Sequence, residues 1–314
     1  MTHMHSNWTM PTARRHDWSM AEGAPLIAER MLPGLAAIAD RYSGFILDLW
    51  GVVHDGERPY PGAVAALDAI AAKGAGVCLL SNSPRRASEV AAMLQDMGVG
   101  PARYDHLVTS GEETFAALRD RHSGSSGVSG SCCLHLGPRH LATLLDRLDV
   151  TIVENPSAAD FLVATGFDAT RPAREVAAVL RASAQRALPM VCANPDLVVL
   201  IGGRVHWCAG ALALQYEELG GTVIYHGKPT AGVYRQCLTR LGLAPREVLA
   251  VGDALRTDVA GANAMMIDVA LVTSGIHREE LGAEWGVFPD PDRIAALLEV
   301  CPHRPTLMIP ALRW

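Results

Sequence analysis

Apolar runs of four or five residues recur at 45–49, 77–80 and 106–110, each closed by a cluster of Gly, Pro, Ser, Asn or Asp. Runs of that length with such boundaries read as buried strands. Between them lie Ala-rich stretches at 63–73 and 89–97, long enough for helices, the second closed by Gly98. An Ala/Leu-rich stretch at 24–39, interrupted by Pro33-Gly34, predicts a further helix. The pattern resumes late in the chain, with strands expected at 222–225, 248–251 and 269–273 and helices at 231–241 and 258–265. Strands alternating with helices predict a parallel sheet covered on both faces. Right-handed crossovers then bring the strand tips to one edge.

The two halves are separated by a long insertion. Residues 122–131, rich in Ser and Gly, form a low-complexity loop. Strands are expected beyond it at 132–136, 161–164 and 190–193, with a hairpin of 198–201 and 205–208 turning at Gly202-Gly203. Helices at 139–148 and 174–186 separate them. The expected organisation is a tail at 1–23, a core made of 24–111 and 222–314, and an inserted α/β domain at 112–221. The fold class is α/β, a Rossmann-like doubly wound parallel sheet carrying that insertion.

Composition narrows the function classes. The 314 residues are 49% apolar and 19% charged, which is ordinary for a globular chain and not for a disordered one. The formal net charge of −6 gives no electrostatic footprint for nucleic acid. Seven scattered cysteines without a CxxC pair read as reduced core residues of a cytoplasmic protein, not as zinc ligands. No membrane span is expected, since no apolar run reaches eighteen residues. The first twenty-odd residues lack the apolar stretch of a secretion signal.

Four polar signals stand at the expected strand tips: Asp48, Ser81 with Asn82, Lys228, and Asp253 with Asp258. Each alone has an ordinary explanation as a cap or turn former. Together they put paired acids where open α/β sheets bind ligands. Paired acids there indicate a hard cation, and hard cations go with phosphate chemistry.

The segments Asp48-Leu49-Trp50-Gly51-Val52, Ser81-Asn82-Ser83, Gly227-Lys228-Pro229 and Gly252-Asp253-Ala254-Leu255-Arg256-Thr257-Asp258 resemble the haloacid dehalogenase superfamily. The insertion is similar to the large α/β cap of the nucleotide, pyridoxal-phosphate and phosphoglycolate phosphatase group, through Ala193-Asn194-Pro195-Asp196 and Gly210-Ala211-Leu212-Ala213. The resemblance implies a hydrolase acting on a small phosphorylated metabolite, with Asp48 as nucleophile and an aspartyl-phosphate intermediate. It implies Mg²⁺ held by Asp48, the Trp50 backbone carbonyl and Asp253, supported by Asp258. Ser81, Asn82 and Lys228 would bind the transferring phosphoryl group. Asn194, Asp196, Trp207 and Ala211 would be cap residues near the pocket, and the cap type implies a possible homodimer.

One position departs from the pattern. Members of this group carry an acid two residues after the nucleophile, and here that residue is Trp50. General acid–base help supplies about 10²–10⁴ in rate, so alkyl phosphates should suffer more than esters with acidic leaving groups. His54 and Asp55 are more readily loop-shaping residues than substitutes. A weak or inactive phosphate-binding protein is the second reading. Carbon–halogen cleavage fits less well, because it needs no metal and both Asp253 and Asp258 are present. Carbon–phosphorus cleavage fits poorly, because the only lysines are Lys73 and Lys228, neither in the insertion.

Overall fold

The computed structural model describes residues 24–124, 126–202 and 204–314. The tail expected at 1–23 lies outside them, as does Gly203 of the hairpin turn. The chain forms strands β1 (Gly44–Leu47), β2 (Gly76–Ser81), β3 (His106–Thr109), β4 (Cys132–Leu136), β5 (Thr151–Val153), β6 (Phe161–Ala164), β7 (Met190–Cys192), β8 (Val198–Ile201), β9 (Arg204–Trp207), β10 (Val223–Tyr225), β11 (Val248–Gly252), β12 (Asp268–Val272) and β13 (Leu307–Ile309). Six of them make one parallel sheet, ordered β13-β12-β11-β1-β2-β3. Chain order reverses between β1 and β11, so the connections leaving their carboxyl ends diverge and open a crevice.

Side chains alternate across this sheet as a strand requires. Phe45, Leu47, Val77, Leu79, Leu249 and Val251 pack on one face under helices Ala63–Ala72 and Ala87–Asp96. Ile46, Cys78, Leu80, Val248 and Ala250 pack on the other, with Val233, Tyr234 and Cys237 of helix Ala231–Leu241. Both faces are apolar, which is why the strand sequences run continuously hydrophobic.

A second parallel sheet, β10-β7-β6-β4-β5, repeats the two-faced arrangement. Leu134, Leu162 and Met190 face one cluster; Cys133, Phe161 and Val191 face the other. The hairpin β8-β9 stands apart from both sheets.

Several expectations need correction. The strand at 222–225, assigned from the sequence to the core, pairs with β7 in the second sheet. It follows helix Ala209–Glu218 by only a short Gly220-Gly221 turn, too short to leave that unit. Residues 24–39 form a helix only at Ala24–Glu29, then 3₁₀ turns at Leu35–Ala37 and Ala39–Arg41, because Pro33-Gly34 breaks the helix early. Residues 139–145 make a 3₁₀ helix, not an α-helix. Helices Ser110–Arg119, Ala209–Glu218 and Pro291–Glu299 and strands β5 and β13 were not legible from the apolar pattern. Among the described residues no helix is long and apolar enough to cross a membrane.

Candidate active site

Asp48 directly follows β1, and its amide donates to Val251 O of β11 at 2.9 Å, which fixes the backbone at the crevice. Asp253 directly follows β11. Asp258 lies in the wide turn Leu255–Val259, where its Oδ2 accepts from Ala254 N at 3.1 Å. Ligand atoms of Asp48, Asp253 and Asp258 all lie within 4.8 Å of one another. Lys228 enters from the segment after β10, its Nζ 2.6 Å from Asp48 Oδ1 and 2.8 Å from Asp258 Oδ1. All four side chains are buried.

The backbone around this cluster has no room to spare. Gly51 has a φ of 78°, and a Cβ there would collide with the Asp253 carboxylate. Gly275 abuts Asp253 from the opposite loop in the same way. Ile276 N donates to Asp253 Oδ2 at 2.7 Å, pinning that loop to the carboxylate. Lys228 is held through its own backbone: its N–H donates to Asn82 Oδ1 at 2.7 Å, and Asn82 Nδ2 donates to Lys228 O at 3.2 Å.

Burial pushes Asp48 up to about 7; the Lys228 ammonium offsets part of this and the Asp258 charge adds to it. Asp253 is raised for the same first reason, with Asp48 and Asp258 as the charges that add to it. Burial disfavours the Lys228 ammonium, but Asp258, Asp48 and Asp196 together hold it well above the ordinary lysine value. Three acids facing one ammonium are under-compensated. Oxygen-only donors at this spacing, with that surplus negative charge, fit a hard divalent cation.

A cavity of about 380 Å³ opens over the cluster. Trp50, Asp55, Arg58 and Tyr60 line it from the core, and Val198–Leu200 of the hairpin line it from the insertion. The Tyr60 ring stacks on Trp285 at 3.8 Å between centroids. The Trp50 indole packs against Gly56, where a Cβ would strike its ring, and meets the His54 imidazole edge-on at 4.9 Å. It forms wall, not a proton donor.

Of the residues expected at the site, Asp48, Trp50, Asn82, Asp196, Lys228, Asp253 and Asp258 all line this cavity. Asp196 comes from the insertion and accepts from Asn82 Nδ2 at 2.9 Å, a direct tie between the two units. Ser81 lies below the surface, its Oγ accepting from Ser83 N at 3.1 Å. Asn194 is buried and orients Asp196, whose amide donates to Asn194 Oδ1 at 3.0 Å. Trp207 and Ala211 are not part of the lining, and Trp207 is 60% exposed. Both were expected as cap residues near the pocket, but β8 lines the cavity while Trp207 sits on its partner strand and Ala211 in helix Ala209–Glu218.

His54 is fully buried, with Nδ1 accepting from Gly56 N at 3.0 Å. Burial lowers it to about 4, so it is neutral and out of reach of the cavity. Asp55 does line the cavity, but its Oδ1 is taken by the Glu57 and Arg58 amides, both at 2.9 Å. Desolvation is the largest single influence on Asp55 and raises it, but the Arg58 and Glu57 amides and the Arg58 charge together outweigh it and hold the carboxyl below its usual value. Tyr60, Ser274 and Arg278 also line the cavity and were missed in the sequence. The loop 274–278 follows β12, so applying the strand-tip argument to that strand as well would have found two of them.

Comparison with known proteins places this geometry. The haloacid dehalogenase-like hydrolase model matches residues 45–151, and a second HAD-like hydrolase model matches 225–300. Human chronophin is 29% identical over 268 residues, covering 78% of this chain and 86% of that protein. The D-glycerol 3-phosphate phosphatase of Mycobacterium tuberculosis is 27% identical over 244 residues, covering 77% of this chain and 66% of its own length. The crystal structure of a haloacid dehalogenase-like hydrolase from Brucella suis superposes with a TM-score of 0.75 at 32% identity, over 89% of this chain and 98% of that one.

Proposed function

The chain belongs to the haloacid dehalogenase-like hydrolases, and from that premise we propose that it is a magnesium-dependent phosphatase of a small phosphorylated metabolite, working through an aspartyl-phosphate on Asp48. The observation that carries this reading is Lys228 held between Asp48 and Asp258, with Asp253 within the span of one ion. Relatives named as phosphatases support it.

Asp48, Asp253 and the Trp50 backbone carbonyl would hold Mg²⁺, with Asp258 supporting its water shell. Bound there, the ion offsets charge repulsion between the carboxylate nucleophile and the phosphate dianion. Asp48 attacks phosphorus, the ester oxygen departs, and water later cleaves the acyl phosphate on Asp48. Lys228 neutralises Asp48 and the phosphoryl oxygens as a point charge. The Asn82 backbone amide would donate to the phosphoryl group, since both hydrogens of its side chain are taken by Asp196 and Lys228, and Ser81 supports the turn that presents it. The inserted unit, residues 112–221 together with β10, acts as a cap, which excludes water and reads the substrate through β8.

Trp50 supplies no proton to the leaving oxygen. Asp55, ionised and bound by backbone amides, suits accepting a proton from the attacking water better than giving one. The preferred substrates are therefore esters with acidic leaving groups, such as aryl or acyl phosphates. The same residue favours the second reading, a phosphate-binding protein with little turnover. A screen of phosphorylated metabolites and aryl phosphates with Mg²⁺, run beside Asp48→Asn, decides between them. Mg²⁺-dependent phosphate release lost in the variant supports the phosphatase; binding without release supports the alternative.

A further inference from the structure

Three cationic side chains line the cavity, and two are already engaged. Lys228 serves Asp48 and Asp258. Arg58 lies 3.7 Å from Asp55. The third, Arg278, has no hydrogen bond or ion pair from its guanidinium to any of the described residues, and it is half-buried. Of the acids in the cavity wall, Asp55 is held by backbone amides and Arg58.

Arg278 is also fixed relative to the reaction centre. Its loop is stapled to Asp253 through Ile276 N and abuts that carboxylate at Gly275. Ser274 Oγ donates to Pro310 O and accepts from Gly286 N, and His277 Nε2 accepts from Leu255 N at 3.3 Å. The backbone that carries Arg278 therefore stands at a set place in the wall, with the Trp50 and Tyr60 rings and the apolar β8 residues lining the same cavity. A guanidinium fork matches a carboxylate or phosphate in two parallel hydrogen bonds.

We infer that Arg278 binds a second anionic group of the substrate, so that the ligand is a small phosphate ester with a carboxylate or a further phosphate at the end away from the reacting phosphorus. This rests on the phosphatase reading above for its orientation in the cavity. Matched esters test it: 4-carboxyphenyl phosphate, its neutral carboxamide counterpart, and 1,4-phenylene bisphosphate. Binding is measured by calorimetry on Asp48→Asn protein with Mg²⁺, so that turnover is not needed. Either charged ester should bind about tenfold more tightly than the carboxamide, the scale of one charge-assisted contact, and which of them does so identifies the anion. The ratio should fall to about one when Arg278→Met is added and be partly kept by Arg278→Lys. Equal binding of all three esters, or a preference that survives Arg278→Met, would overturn the inference. Turnover by the otherwise unaltered protein is read separately. A binding preference without phosphate release from any ester would remove the phosphatase reading and leave the anion subsite standing.

Discussion

The Lys228 ammonium sits 2.6 Å from the Asp48 carboxylate, and both groups are buried. The contact joins the segment after the last strand of the second sheet to the tip of the first strand of the core. It gives Asp48, the proposed nucleophile, a fixed counter-charge. Removing one partner of a buried ion pair strands the other, at a cost of about 3–5 kcal/mol. Lys228→Met is therefore expected to lower kcat/KM for an aryl phosphate by at least about a hundredfold and to destabilise the fold in urea. Near-normal turnover in that variant would count against the role given to the lysine.

Asp48, Asp253 and Asp258 stand close enough to hold one metal ion, and on the proposed function the folded protein would bind Mg²⁺ there. A ligand at a hundred times its Kd stabilises by about 2.7 kcal/mol. Thermal melts should shift upward with added Mg²⁺, and the shift should shrink in Asp253→Asn. An equal shift in both proteins would place the ion elsewhere.

On the phosphatase reading, Trp50 sets how the rate depends on the leaving group. With no acid at that position, the rate should fall steeply from aryl to alkyl phosphates. Trp50→Asp should speed alkyl esters by about a hundredfold and aryl esters far less. The indole's packing on Gly56 and His54 is lost in the exchange, so stability should drop while alkyl turnover rises. A uniform change across leaving groups would show that the missing acid is not the controlling difference.

Much of this site was legible because its chemistry sits where a periodic pattern ends. Phe45, Ile46 and Leu47 mark a strand buried on both faces, and Asp48 is the next residue. The same holds for Val251 and Asp253. What was illegible depends on partners distant in sequence. Three apolar residues at Val223–Tyr225 say nothing about which sheet edge they will join. Asp196 reaches Asn82 across 114 positions, a contact that only docking of the two units creates. In the four-residue strands of the hairpin, alternation is too short to tell which strand meets the cavity: Val198 lines it and Trp207 does not.

His135 gives the second sheet a pH dependence of its own. It lies in β4, with Nε2 2.8 Å from Thr165 Oγ1, and burial, aided by Arg171, lowers it to about 4. In an unfolded chain a histidine titrates near about 6.5. Between those values the unfolded chain holds the extra proton, so acid favours unfolding. The contribution is complete above about 6.5 and is lost as the pH falls toward 4, with a ceiling of about 3 kcal/mol. Relative to His135→Gln, the urea-unfolding free energy of the unaltered protein should fall by about 2 kcal/mol between pH 7 and pH 5. A constant difference would mean that His135 titrates normally in the fold.

The proposal that Asp48 carries the phosphoryl group is open to direct trapping. Protein mixed with radiolabelled aryl phosphate and Mg²⁺, then quenched in acid within milliseconds, should yield label on the peptide containing Asp48, with none in Asp48→Asn. Phosphate release at an undiminished rate by Asp48→Asn, or label on a different residue, would contradict it.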